Sequence, residues 1–379
     1  MRSFFQRSRE QPQVIVHITE AMSSGVLDVI GSLCRAQAAR GADVEVYHSR
    51  RDITPSSEEL DGLLGSRVER AEVYSGSRAI TAMLVLAWTT IKVLICSPSS
   101  KIHVHSSKAG FVVRVVAAVL GCQDRIFYSP HGFAFLREDI SPTMQKALQF
   151  IEAALARVGG SLILCSKSEQ QVASEVLNAK RTVLLENAID TSSLPLPESK
   201  GGRRLRVVTS GRVSPQKAPW RFGALAERFS NQADFIWVGD GDQQAKEEWL
   251  AGAGVTVTGW LSRPEVLEEL VKSDIFVLLS AWEGMPIALI EAQCVGLPCI
   301  VTDVVGNRDV VLHELSGAVC SSQEDIHTWM SRLLDDAGVR QEMSHHAVQQ
   351  RFRFDVTTMS KRSLSIYDEL ERPTISCVN

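Results

Sequence analysis

The sequence predicts an α/β protein in two halves, each a parallel sheet wound with helices on both faces. Short apolar runs alternate with amphipathic segments along most of the chain, the pattern of buried parallel strands and their covering helices. At 379 residues the chain exceeds the size at which a single core stops growing. A stretch of linker composition, DTSSLPLPESKGGRR, breaks the rhythm at 190–204 before it restarts.

Taken in order, an apolar run predicts a strand over 13–18, a polar loop over 19–25 and a helix over 26–40. Gly41 then stops the helix, and a second strand covers 43–47. The same alternation gives strands at 102–105, 125–129, 161–165 and 182–185, with helices at 109–120, 142–158 and 166–177. After the break come strands at 205–210, 234–238, 255–258, 275–279 and 299–302. Helices at 219–229, 243–251, 263–271 and 286–295 lie between them. The resulting organisation is a first domain over 1–190, a linker over 191–204, a second domain over 205–355 and a C-terminal helix and tail over 356–379. In such sheets ligands bind beyond the carboxyl ends of the strands, so two facing sheets would enclose a cleft.

Composition narrows the function. Hydrophobic residues make up 45% and charged residues 22%, with a net charge of -4, so no global basic field favours nucleic acid. The eight cysteines include no Cys-x-x-Cys pair and mostly sit in apolar runs, which reads as buried reduced thiols of a cytoplasmic protein. The N-terminal segment is charged and lacks the apolar core of a signal peptide. The segment 79–96 is apolar enough to span a bilayer. Lys92 inside it, and the α/β pattern on either side, favour a buried or membrane-facing helix.

The most informative segment is SAWEGMPIALIEAQCVGLPCIV, 280–301. A strand ends, a turn carries Glu283 and Gly284, and Pro286 stands where a first helical residue is favoured. The amides before the helix and its positive end form a ready anion site. Glu291 projects from the helix eight residues after Glu283. Taken singly, these carboxylates would be ordinary solvated residues.

Together the spacings resemble the signature of glycosyltransferase family 4: a Glu-x7-Glu pair, Glu283 and Glu291, flanking Gly284 and Pro286 and followed by Gly296 and Pro298. The resemblance implies the GT-B fold, two Rossmann-like doubly wound domains facing a cleft. It implies that Glu291 bonds the nucleotide ribose, while Glu283 and the neighbouring amides of Gly284 and Met285 hold the sugar and distal phosphate. Gly211, Arg212 and Lys217 look like the family's Gly-Arg…Lys motif, with both cations toward the diphosphate; Ala218 stands where Gly is frequent. Otherwise they are two solvated basic residues. His131, in Pro130-His131-Gly132 after a predicted strand, matches the family's His-Gly and implies a contact to the donor sugar. Ser23-Ser24-Gly25 occupies the family's Gly-rich loop with one glycine, Gly25, placed at the donor phosphate or acceptor. The turn from His105 to Gly110 lies on the same rim, facing acceptor.

Asp240-Gly241-Asp242 spells an Asp-x-Asp metal motif, and Gly239-x-Gly241 begins a dinucleotide fingerprint that lacks its third glycine. The family's Val-Gly-x-Gly loop is the preferred reading, with no metal. Asn187-Ala188-Ile189-Asp190 replaces the family's Asn-Gly-Ile-Asp, and Val305-Gly306 a Gly-Gly pair.

These features lead to an expected metal-independent, retaining hexosyltransferase with catalytic residues His131, Arg212, Lys217 and Glu283. It would use a UDP- or GDP-sugar and need no cofactor. The segments SSKAG, PHGF and NAID look most like bacterial exopolysaccharide or O-antigen enzymes, implying a lipid-linked saccharide acceptor. Location would be cytoplasmic, with peripheral contact on the inner face of the membrane. Lys92 and Arg114 would add attraction to anionic headgroups. The alternatives are an NAD-dependent two-domain oxidoreductase and a non-catalytic sugar-binding protein.

Overall fold

A computed structural model describes residues 13–371, except 21, 52, 77, 193 and 196–202. The charged N-terminal segment, most of the linker, and the tail with Cys377 therefore lie outside the described residues. The chain divides into two compact units, Met1–Tyr128 and Ser129–Asn379.

The first unit runs β1 (Val14–Thr19), α1 (Ser24–Ala39), β2 (Asp43–Arg50), α2 (Ser57–Leu64) and β3 (Val68–Ser75). It continues through α3 (Ala79–Cys96), β4 (Lys101–His105) and α4 (Ser107–Val119) into β5 (Ile126–Ser129). The second unit begins with α5 (Pro142–Val158), β6 (Ser161–Leu164), α6 (Lys167–Glu175) and β7 (Thr182–Leu184). Beyond the linker come β8 (Leu205–Ser210), α7 (Pro219–Phe229), β9 (Ala233–Val238), α8 (Gln243–Lys246), β10 (Val255–Val257) and α9 (Arg263–Val271). Next are β11 (Ile275–Leu278), α10 (Ile287–Cys294), β12 (Cys299–Thr302), α11 (Asn307–Val310) and β13 (Gly317–Cys320). Among the described residues four helices follow: α12 (Gln323–Asp335), α13 (Ala337–Gln349), α14 (Val356–Arg362) and α15 (Ser365–Glu371).

The strand orders are β3-β2-β1-β4-β5-β6-β7 and β10-β9-β8-β11-β12-β13. Counted from its own first strand, each sheet contains the order 3-2-1-4-5-6 of the Rossmann fold. β1 pairs in parallel with β2 and β4, and β8 with β9 and β11, so the winding direction reverses beside each first strand. β5, β11 and β12 are buried at every position, as expected of strands covered on both faces. The edge strand β3 has no buried position: Glu69 and Glu72 are exposed, and Val68, Val73 and Tyr74 are half-buried. In the second unit the core gathers Phe222, Phe235 and Trp237, with Phe222 edge-on to Trp237 at 5.5 Å.

The expected single C-terminal helix is two, α14 and α15, separated at 363–364. They pack by β7: Arg362 donates to Leu184 O at 2.9 Å and Arg181 to Leu370 O at 2.8 Å. The seven described cysteines are free; five are buried, Cys122 is half-buried and Cys96 is exposed.

Helix α3 covers the apolar segment 79–96 and has the length and hydropathy of a membrane span, with 28% of it buried in the fold. One side packs on α4 and β3 through Leu86, Val93 and Leu94. The expected surface role of Arg114 does not hold. Arg114 is buried, stacks on the Tyr128 ring at 4.0 Å and donates to Gly110 O at 3.0 Å.

Candidate active site

In the second unit the strand ends bring most of the predicted residues together. Glu283 follows β11 and is buried, and its carboxylate is fully engaged. Lys217 donates to Oε1 at 2.6 Å, and Gln216 donates to Oε2 at 3.3 Å and to Trp282 O at 3.1 Å. Lys217 closes a 3₁₀ turn, Pro215–Lys217, that leads from β8 into α7. Ala218 then adopts the left-handed region, φ 48° and ψ 61°, and Pro219 opens the helix. That backbone explains the expected glycine: a non-glycine residue there costs roughly 1–2 kcal/mol. Arg212 lies exposed on the loop from Gly211.

The His131–Gly132 loop follows β5, with both residues at positive φ, 54° and 99°. A Cβ on Gly284 would lie 2.6 Å from Gly132 N and 2.7 Å from His131 C, and one on Gly306 would lie 2.0 Å from Gly284 O. Three glycine backbones are thereby stacked, and no side chain fits between them. Burial lowers the His131 pKa to about 4, so the imidazole is neutral near neutral pH.

Several positioning residues were not singled out from the sequence. Glu169, wholly buried, accepts from Gly132 N at 2.7 Å and Cys165 N at 2.9 Å, and desolvation raises its pKa. The neighbouring Ser168 donates its amide to Asp309 at 3.2 Å and accepts from Gly306 N at 2.9 Å. Ser166-x-x-Glu169 is a capping-type spacing, a legible signal, but the Glu169 carboxylate spans from Cys165 N, just before the helix, to Gly132 N in the His131–Gly132 loop. Asn187, read as a turn residue, donates to Met285 O at 2.8 Å and so braces the same turn.

Glu291 is buried on α10, not on a solvated face, and Arg263 lies 3.1 Å from its carboxylate. Pro286 is the N-cap of α10, one position earlier than expected. The glycines of the 239–241 loop are structural. A Cβ on Gly239 would meet Gly211 O at 2.3 Å, and one on Gly241 would meet Val213 O at 2.3 Å. Asp240 pairs with Lys246 at 2.5 Å, which lowers its pKa, while Asp242 caps α8 by accepting from Ala245 N at 2.7 Å.

Gly25 lies in the first turn of α1, in the other unit. There Glu20 accepts from Ala109 N at 3.1 Å and from the Ser106 hydroxyl, fixing the turn into α4.

Twin sheets of Rossmann order, with a carboxylate pair, a lysine and a His-Gly loop at strand ends, characterise the GT-B class. Residues 204–336 match the family described as Glycosyl transferases group 1, and residues 24–188 match the Glycosyl transferase 4-like domain. The chain belongs to the family 4-like glycosyltransferases of GT-B fold.

An Escherichia coli UDP-Gal:alpha-D-GlcNAc-diphosphoundecaprenol alpha-1,3-galactosyltransferase is 27% identical, over 62% of this chain and 65% of that protein. The N,N'-diacetylbacillosaminyl-diphospho-undecaprenol alpha-1,3-N-acetylgalactosaminyltransferase of Campylobacter jejuni is 28% identical, over 43% and 44%. Both matches cover less than two thirds of the relative's length. In fold, sucrose-phosphate synthase from Thermosynechococcus elongatus superposes with a TM-score of 0.77 at 18% identity, covering 94% of this chain and 99% of that one.

Proposed function

We propose that the chain transfers a hexosyl residue from a nucleoside diphosphate sugar to a lipid-linked saccharide in bacterial polysaccharide assembly, with retention of configuration and without a metal ion. The observation that carries this reading is the cluster of Lys217 and Gln216 on the buried Glu283 carboxylate beside the His131–Gly132 loop, with buried Glu291 on the helix that follows. The donor and acceptor classes follow the two relatives, whose names specify diphospho-undecaprenol acceptors and, for one, a UDP-sugar.

In the step envisaged, an acceptor hydroxyl oxygen bonds to the anomeric carbon while the carbon–phosphate oxygen bond breaks. Its electron pair leaves with the nucleoside diphosphate, and the hydroxyl proton passes to the leaving phosphate oxygen. Arg212 and Lys217 offset the charge that builds there. Glu291 holds the ribose, and the amides of Gly284 and Met285 hold the distal phosphate. Same-face attack is favoured because the buried carboxylates of the site already have partners: Glu283 holds Lys217, Glu169 holds the catalytic loop and Glu291 faces Arg263. Asp240 and Asp242 likewise have structural roles, which supports a metal-independent reaction.

The test is thermal-shift screening with UDP, GDP and ADP, followed by transfer assays with excess EDTA. One nucleotide should stabilise the chain, because a ligand binding only the native state raises its stability, and turnover should survive the chelator. Loss of activity in EDTA, restored by Mn²⁺, would return Asp240 and Asp242 to the list of metal ligands.

A further inference from the structure

The first unit contains a cavity of about 820 Å³ that the donor site does not use. It lies beyond the carboxyl ends of β1, β2 and β3, the side of a doubly wound sheet on which ligands bind. Its wall takes Glu20 after β1, Arg50 and Arg51 at the end of β2, Arg78 before α3 and Lys108 in α4. Among the described residues four cations and one carboxylate line it. Arg50 is bound to Glu72 at 2.7 Å and Arg51 to Glu20 at 3.3 Å. Among the described residues neither Arg78 nor Lys108 is paired with a carboxylate. Glu20 meanwhile serves the turn into α4, where Ala109 N donates to it. The excess charge is positive, in a volume that suits a small-molecule ligand.

Beside this cavity stands α3, whose first residues also line it. Ile80, Leu84, Trp88 and Ile95 are exposed by 58–76%. At 100° per residue they fall within about 80° of one another, a continuous apolar stripe along a helix roughly 27 Å long. Lys92 borders the stripe, its ammonium over the Trp88 ring at 5.6 Å. So large an apolar surface on a folded chain marks an interaction site, and its start at a cationic cavity restricts the occupant to a molecule with an anionic head and a hydrocarbon tail.

We infer that this cavity receives the diphosphate of the lipid-linked acceptor and that the α3 stripe lies against the hydrocarbon carrying it. The inference rests on the acceptor class proposed above and supplies the residues that would recognise it: Arg78 and Lys108 for the diphosphate, Leu84 and Trp88 for the lipid.

The test uses the full chain saturated with UDP and farnesyl diphosphate as probe. The wild type should bind it, and Arg78→Ala/Lys108→Ala should weaken binding by about tenfold or more, the effect of losing charge-assisted contacts. Both residues are exposed, so the fold should survive, and unchanged UDP affinity would confirm it. Equal affinity in the double variant, or displacement of the probe by UDP, overturns the assignment. Inorganic diphosphate binding as tightly as the prenylated probe would also overturn it, in favour of a small-anion site.

In flotation with phosphatidylcholine–phosphatidylglycerol vesicles the wild type should float and Leu84→Asp should not. Equal behaviour of the two removes α3 from the proposal. A wild type that ignores UDP yet binds farnesyl diphosphate through Arg78 and Lys108 would defeat the transferase reading and leave the cavity assignment standing.

Discussion

Lys217 and Glu283 form a nearly buried ion pair at 2.6 Å, with side chains 14% and 6% exposed. The lysine that is to meet the departing diphosphate is thus held in place by the carboxylate that is to meet the sugar. A group acting chiefly on the transition state changes kcat more than KM. Lys217→Ala should therefore lower kcat by about 10²- to 10³-fold, comparable to losing one preorganised oxyanion donor, with a smaller effect on donor KM. Because it strands a buried carboxylate, Lys217→Gln, which keeps a donor without the charge, is the companion variant. His131→Ala should lower turnover and leave nucleotide affinity nearly intact. Steady-state kinetics with circular dichroism as the folding check decides; near-normal kcat in both lysine variants refutes the role given to Lys217.

Glu291→Ala should weaken nucleoside diphosphate binding by roughly 1–3 kcal/mol, the worth of a charged hydrogen bond to ligand. Calorimetry on the folded variant measures it. Undiminished affinity would mean that the carboxylate serves Arg263 alone.

Ala218 offers a test of backbone strain. Replacing it by Gly relieves roughly 1–2 kcal/mol of left-handed penalty but loses a buried methyl and raises unfolded-state entropy by similar amounts. Ala218→Gly should stay within about 1 kcal/mol of wild type. Ala218→Val, β-branched at φ 48°, should lose more than about 2 kcal/mol. Equal urea midpoints for the two variants would show that the turn relaxes.

Burial depresses His17, on β1, from 6.5 to about 4. The fold favours the neutral ring, so unfolded chains take up the proton first as pH falls. The associated stability is complete above pH 6.5 and drains away as the pH drops toward 4, by about 1.4 kcal/mol per pH unit. His131, depressed for the same reason, acts in the same direction. Urea titrations between about pH 7 and pH 5 should show this fall, and His17→Gln should flatten it. A slope identical in the variant would place the titration elsewhere.

Most strands of both sheets and the spacing of the Glu pair and the lysine were legible because continuous apolar runs and fixed spacings are local properties. Edge strand β3 went unrecognised because its sequence, VERAEVYS, carries charge on the exposed side. β13 and helices α12 and α13 were also unassigned, although Ser322 and Asp325 form a capping box at the start of α12. The bracing of Gly132 by Glu169, and of Met285 by Asn187, was hidden for a different reason. Each contact joins residues far apart in the chain, 37 and 98 positions for the bonds concerned. One sequence carries no trace of such pairings until the chain is folded.

The stacked glycines make three loops into one mechanical part. With Gly284 against the His131–Gly132 peptide and Gly306 against Gly284, there is no compressible side chain to absorb a shift. In the proposed reaction, a donor that tugs the turn at Glu283 would carry the imidazole along with it. The sugar and phosphate contacts would then arrive at the anomeric carbon together, timed by main-chain contact instead of by the separate flexing of two loops.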